Sequence, residues 1–221
     1  MADVPHSITL DMMRQSLSSA LVCDALDTLG LRRQSPTIVL PVRTMDGLLV
    51  GRCKTTLWTD RETPDPHPYE NELIAVDTCL PDQVMIAAAA GSMRSGIWGE
   101  LLSTAARNGG CVGAIVDGAV RDLTPMKEMR FPIFARGVSP YDSKDRQEVT
   151  AVDVTVEIAG VVFHPNDLVF ADVDGVVVVP AEVEEEAIRR AWNKAHDENR
   201  TRSAIQQGMK VTEAYRRYGV L

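Results

Sequence analysis

Residues 83–122 read QVMIAAAAGSMRSGIWGELLSTAARNGGCVGAIVDGAVRD, and this stretch decides the fold. Residues 83–90 form an apolar run of strand length, expected to be buried. Residues 99–108 read as a short helix that Gly109 and Gly110 end, and residues 111–116 as a second buried strand. Strand, helix, strand with short links is the signature of a parallel βαβ unit. Asp117 and Gly118 are expected to turn the chain into a second helical stretch, and residues 133–138 add a further strand.

Upstream, the spacing of Leu10, Met13, Leu17, Leu21 and Ala25 predicts one helix over residues 10–29, with Thr9 as N-cap and Gly30 just past its end. Residues 47–58 are strand-like and residues 69–78 a short helix. Between them TDRETPDPHP (residues 59–68) carries three prolines and several charges, so it reads as a loop. Downstream, Val152, Val154, Val156 and Ile158 alternate, and Ala159-Gly160 suggests a hairpin into residues 161–163. Two short apolar runs, 168–171 and 176–179, are joined by Asp172 to Gly175. Pro180 then opens a long charged helix to about residue 207, supported by Glu185 with Arg189 and Glu186 with Arg190. A last helix covers residues 212–218. The expectation is one α/β domain over residues 1–221, with a helical tail from about residue 181.

Composition narrows the function classes. The 221 residues are 45% hydrophobic and 24% charged, with a formal net charge of −8 and a mean hydropathy of −0.07. A pI near 5.0 argues against nucleic acid as a generic partner, because phosphate binding needs a basic face. No apolar run approaches the ~20 residues of a membrane helix. MADVPHSITLDMM lacks the basic-then-apolar layout of a signal peptide, so a cytoplasmic protein is expected. Cys23, Cys53, Cys79 and Cys111 stand alone in apolar surroundings and read as buried reduced thiols. The histidines (His6, His67, His164 and His196) are scattered, so any metal here is a hard one held by carboxylates.

Two segments have the chemistry of a site. In residues 96–102, GIWGELL, two glycines flank the start of a helix that follows a buried strand. Uncapped N–H groups and the positive end of the helix dipole there favour an anion such as a carboxylate. The second, Asp117 to Asp122, follows the strand at 111–116, where open α/β sheets bind ligands. Arg121 offers a planar fork for a carboxylate or enolate oxygen, and Asp122 offers hard oxygen ligands for Mg²⁺ or Mn²⁺. The same parallel unit brings both segments to one end of the sheet. None of Lys54, Lys127, Lys144, Lys194 or Lys210 lies in either segment, which argues against a Schiff-base mechanism.

Glu100 and Arg121 bracket twenty residues, with Asp122 adjacent. This resembles the acidic-x20-Arg-Asp motif of the 4-hydroxy-4-methyl-2-oxoglutarate aldolases, the family that also contains the RraA-type ribonuclease regulators. The likeness continues through VCDALDTLG (22–30), FPIFARGVSP (131–140), VVFHPNDLVFADVDGVVVVP (161–180) and the closing YGVL. The resemblance implies a swivelling β/β/α domain assembled as a homotrimer or homohexamer. It implies a divalent-metal-dependent lyase that releases pyruvate from a small 2-oxo acid, as an aldolase or an oxaloacetate decarboxylase. By the same resemblance, Asp122 binds Mg²⁺ or Mn²⁺ largely through waters, and Arg121 contacts the pyruvyl part of the substrate. The turn at Gly99 with the backbone amides of Glu100, Leu101 and Leu102 holds its carboxylate. Glu100 acts near the metal waters, and Glu198 of a neighbouring subunit matches a C-terminal metal-site glutamate. The regulators keep the arginine but lack the following aspartate, so Asp122 favours catalysis over a non-catalytic, protein-binding role. A related enzyme using the same enolate platform on another 2-oxo acid is a further alternative. Departures are PDQ at 81–83 and PND at 165–167, where the family commonly reads PGD, and the loop at 59–68, which bears on substrate size. Arg94, just before the glycine turn, is a candidate for a second substrate carboxylate or simply an exposed arginine.

Overall fold

A computed structural model describes residues 7–221. His6 and the start of the leader reading therefore lie outside the described residues. The helix expected over 10–29 is two helices, α1 (Leu10–Ser16) and α2 (Ser19–Thr28). The break has a local cause: Leu17 is extended, and the Ser18 hydroxyl accepts the N–H of Leu21 to cap a new helix. After the short β1 (Val42–Arg43), strand β2 (Leu49–Asp60) runs two residues further than the apolar run indicates. Helix α3 (Glu70–Asp77) follows the proline-rich loop.

The βαβ unit forms as its pattern requires. Strand β3 (Gln83–Ala88), the short β4 (Gly96–Trp98), helix α4 (Glu100–Asn108) and strand β5 (Gly113–Val120) follow in order. Every residue of β3 and β5 is buried, which explains their unbroken apolar runs: a parallel strand covered on both faces has no polar side to show. Asp117 and Gly118 do not turn the chain; β5 passes straight through them. Their turn chemistry is absorbed by an irregularity in the pairing of β5 with the next strand, between Val116 and Ala119. Asp117 is buried there, bound to the Arg136 guanidinium and accepting the N–H of Gly91.

The chain continues through α5 (Leu123–Glu128), β6 (Ile133–Val138), β7 (Gln147–Val152), the hairpin β8 (Val156–Ile158) and β9 (Val161–Phe163), and the antiparallel pair β10 (Leu168–Ala171) and β11 (Val176–Val179). A single 3₁₀ turn (Ala181–Val183) precedes α6 (Glu184–Gln206), and α7 (Val211–Tyr218) closes the fold. In α6, Arg189 and Arg190 both pair with Glu186, so the expected Glu185–Arg189 pair is replaced.

One curled sheet has the order β1-β6-β5-β3-β2-β10-β11, with β4 beside β5 and β7 beside β2. The steps β2-β3, β3-β5 and β5-β6 are parallel, as is β4-β5, whereas β1, β7, β10 and β11 pair antiparallel. On one face Trp58, Met85, Val116 and Phe131 pack in one apolar cluster; on the other, Ile86 and Ile115 meet Phe163 of the β8-β9 hairpin. Helices α1, α2 and α6 cover β10 and β11 through Leu26, Phe170 and Ile188. Among the described residues no helix is long and apolar enough to cross a membrane.

Candidate active site at the ends of the parallel strands

Three backbone bonds join β4 and the segments that leave β5 and β6. Arg121 donates its N–H to Trp98 O (2.9 Å), Ser139 to Val120 O (3.0 Å), and Gly96 to Tyr141 O (2.9 Å). Glycine is required at 96, where an added Cβ would stand 2.6 Å from the Ser139 carbonyl. The start of α4 and the Arg121-Asp122 pair therefore converge, as their place in one βαβ unit predicts. The Glu100 N–H points at Asp122 Oδ2 (3.4 Å), and Arg121 Nε lies 3.6 Å from the same oxygen. Gly99 makes this approach possible, because a Cβ there would sit 2.6 Å from Asp122 Oδ2. Asp122 itself adopts a left-handed conformation (φ 56°), which aspartate tolerates better than most residues. Gly99 has no side chain to cap α4: the Glu100 N–H is turned toward Asp122, and the N-cap residue leaves those of Leu101 and Leu102 uncapped. The Glu100 carboxylate is oriented by the Thr104 hydroxyl (2.9 Å).

Asp142, which the sequence reading passed over, holds Arg121 in place: Arg121 Nη1 donates to Asp142 Oδ2 at 2.7 Å, and the Tyr69 hydroxyl donates to Oδ1 at 2.7 Å. Burial pushes the Asp142 carboxyl up, but the Lys144 N–H, the Tyr69 hydroxyl and Arg121 outweigh it and hold it below the usual carboxylate range. Burial and the bond to Asp142 push the Tyr69 phenol up to about 12. Behind them Glu72 is buried, with the Ser143 hydroxyl 3.4 Å from its carboxylate, and burial pushes it up to about 7. The signal for Asp142 was present in SPYDSKD (139–145), a polar loop at the carboxyl end of the strand beside β5. Tyr69, just before α3, and Glu72, within it, carry no local signal.

Other expectations resolve plainly. Arg94 pairs at the surface with Glu62, in the loop that follows β2. Lys54 is buried and bound to Asp153 (2.7 Å) and the Thr78 hydroxyl (2.9 Å), outside the contacts of Arg121 and Asp122. All four cysteines are free thiols, three of them buried. Glu198, on α6, pairs with Lys194 (3.7 Å) and Arg202 (3.5 Å) of its own helix. Among the described residues no group of three or more His, Cys, Asp or Glu side chains gathers to hold a metal. What the strand ends do provide is Asp122, a partly exposed carboxylate beside the start of α4, while Asp142 is engaged by Arg121 and Tyr69. That donor set fits a hard cation that keeps most of its waters and shares its substrate's oxygens, and it does not fit a closed all-protein cage.

An uncapped helix start beside an Arg-Asp pair at the ends of parallel strands is the kind of place where α/β proteins hold anions. The profile of the RraA-like family (Aldolase/RraA) matches residues 19–178, and the chain belongs to that family. Its relatives include Protein DlpA of Legionella pneumophila, 26% identical over 216 residues, which cover 96% of this chain but 35% of that protein. This chain therefore spans about a third of the length of DlpA. A protein of Halalkalibacterium halodurans provisionally named 4-hydroxy-4-methyl-2-oxoglutarate aldolase is 33% identical over 143 residues, 65% of this chain and 68% of its own. Among solved structures, Streptomyces coelicolor RraAS2, described as an unusual member of the RNase ES inhibitor RraA family, superposes with a TM-score of 0.74. It is 29% identical, with 90% of this chain and 99% of that one covered.

Proposed function

We propose that this protein is a divalent-metal-dependent lyase that cleaves a C–C bond of a small 2-oxo acid to release pyruvate, as a 4-hydroxy-4-methyl-2-oxoglutarate-type aldolase, an oxaloacetate decarboxylase, or both. The observation that carries this reading is the convergence of Asp122, Arg121 and the uncapped start of α4 on one spot. Asp122, with Glu100 near the ion's waters, would hold Mg²⁺ or Mn²⁺. When bound, that ion supplies a Lewis acid for the 2-oxo group.

The N–H groups of Glu100, Leu101 and Leu102 bind the substrate's C1 carboxylate. The C3–C4 bond then breaks, and its electron pair moves into the enolate of pyruvate. Arg121, held by Asp142, lies where negative charge grows on the 2-oxo oxygen, so its contribution is larger in the transition state than in the ground state. For an aldol substrate, the proton of the C4 hydroxyl passes to a water held by Glu100, and the carbonyl fragment leaves. For oxaloacetate, CO₂ leaves and no such base is needed. In both cases the enolate takes up a proton at C3. The reading includes a homotrimer or homohexamer in which Glu198 of a neighbouring subunit completes the metal site.

The alternative is a non-catalytic regulator that binds a protein, the role that the relatives' names attach to RraA; the aspartate at position 122 favours the enzyme. The test is pyruvate release from oxaloacetate and from 4-hydroxy-4-methyl-2-oxoglutarate, with Mg²⁺ and with excess EDTA. EDTA-sensitive release supports the lyase, and the ratio of the two rates ranks decarboxylase against aldolase. No pyruvate from either, by folded protein with Mg²⁺ present, would favour the regulator.

A further inference from the structure

At the end of β5 opposite Arg121, the fold brings together two nucleophilic side chains that the proposed reaction does not use. Cys79 follows the last turn of α3, and Cys111 stands two residues before β5. Their segments run side by side: the Asp82 N–H donates to the Gly110 carbonyl (3.0 Å), and a Cβ added at Gly109 would stand 3.4 Å from Cys79 Cβ. Both side chains belong to one apolar cluster, and the two thiols hydrogen-bond to each other. They lie just under the surface. Cys79 is 6% and Cys111 3% exposed, but Thr78 and Leu80 flank Cys79 in solvent, as Arg107 to Gly109 do on the approach to Cys111. Fraying of the α3 end, where a helix is loosest, opens the pair to a small molecule.

The pair divides its protons unequally. The bond from Cys79, with backbone bonds at Gly113, Met85 and Val112, holds the Cys111 thiol below its ordinary value against burial. The same bond and burial push Cys79 up, with the Lys54 ammonium opposing. Cys53 and Cys23 sit in other clusters, and burial pushes both up. A thiol with a depressed pKa beside a second thiol is an attacking sulfur next to a resolving one.

We propose that Cys79 and Cys111 form a redox-sensitive dithiol, which a hydroperoxide such as hydrogen peroxide oxidises to an intramolecular disulfide. The Cys111 thiolate attacks one peroxide oxygen, and the O–O bond breaks. That oxygen stays on sulfur as a sulfenic acid; the other leaves as hydroxide and becomes water with the proton Cys111 gave up. The Cys79 sulfur then attacks the Cys111 sulfur, the S–O bond breaks, and hydroxide leaves with the Cys79 proton as a second water. Two thiols are oxidised and one peroxide is reduced. The new bond ties the end of α3 to the start of β5 and closes a ring around β3, β4 and α4, so it constrains the unfolded chain. None of this depends on the lyase reading.

The test treats the whole reduced protein with hydrogen peroxide, alkylates it in denaturant, and maps its peptides by mass spectrometry. The expected product is a Cys79–Cys111 crosslink that dithiothreitol dissolves, formed while Cys23 and Cys53 are still alkylated as thiols. Cys111 should be lost about tenfold or more faster than Cys53, because reaction follows the thiolate. The oxidised protein should unfold at higher urea than the reduced one. Cys79→Ala has no resolving sulfur, so its Cys111 should stop as a sulfenic acid that dimedone captures. Recovery of all four cysteines as thiols overturns the proposal. So does loss of the more exposed Cys23 ahead of the pair, because access alone would then govern. The peptide map of the wild type decides both outcomes even where the variant fails to fold.

Discussion

Replacing Glu72 with glutamine isolates the cost of burying a carboxyl group beside the site. Burial raises its pKa from 4.5 to about 7, with Asp142 adding to the shift and the Ser143 hydroxyl and Arg121 opposing it. Between those two values the folded chain holds a proton that the unfolded chain has released. The free energy of unfolding must therefore fall as pH rises through that window. At 1.36 kcal/mol per unit, the loss reaches about 3 kcal/mol above pH 7 and vanishes below pH 4.5. Glu72→Gln has nothing to ionise, and its amide oxygen still faces Ser143. The variant should match the wild type near pH 4.5 and exceed it by up to that amount at pH 8. Urea denaturation of both proteins at pH 5, 6, 7 and 8 measures the difference. A gap between the two that is constant across this range would refute the reasoning, because the effect would then come from shape and not from a proton.

Three further outcomes follow from the site geometry. Arg121→Ala should lower kcat by about 10²–10³-fold, the usual cost of removing a donor to a developing oxyanion, with steady-state pyruvate release as the assay. Asp142→Asn removes the charge that anchors Arg121 and accepts from Tyr69. It should lower kcat by about tenfold while circular dichroism stays unchanged, since the guanidinium loses its charge-assisted partner but not its place in the chain. Gly99→Ala puts a Cβ 2.6 Å from Asp122 Oδ2 and displaces that carboxylate. A misplacement of this size should cost about a hundredfold in turnover, with a Mn²⁺ titration showing the weakened ion site directly.

The parallel unit was legible because burial on both faces writes itself as an unbroken apolar run, in residues 84–88 and 113–116. The Arg121-Asp122 pair and the start of α4 were legible for the same reason: one βαβ unit fixes where its own loops end. Asp117-Gly118 misled because its composition suits both a turn and a strand irregularity, and only the neighbouring β6 decides between them. The helix at 10–29 misled because apolar periodicity runs through Leu17 unbroken, whereas a single serine cap at 18 divides it. Asp142, Tyr69 and Glu72 reach the site from separate elements, Asp142 from the loop after β6 and the other two from the start of α3. Those contacts are long-range, and no spacing within either segment announces them. The ends of neighbouring parallel strands are where such residues should be sought, and Asp142 is the example.

The proposed metal-dependent lyase stands or falls with Asp122 as the residue that holds the ion. Its most direct test is the rate of pyruvate release from oxaloacetate by the wild type and by Asp122→Ala, each with Mg²⁺ and with excess EDTA. Release is expected from the wild type with Mg²⁺ only, and the background rate in the other three conditions. Equal release by the two proteins with Mg²⁺ would contradict it.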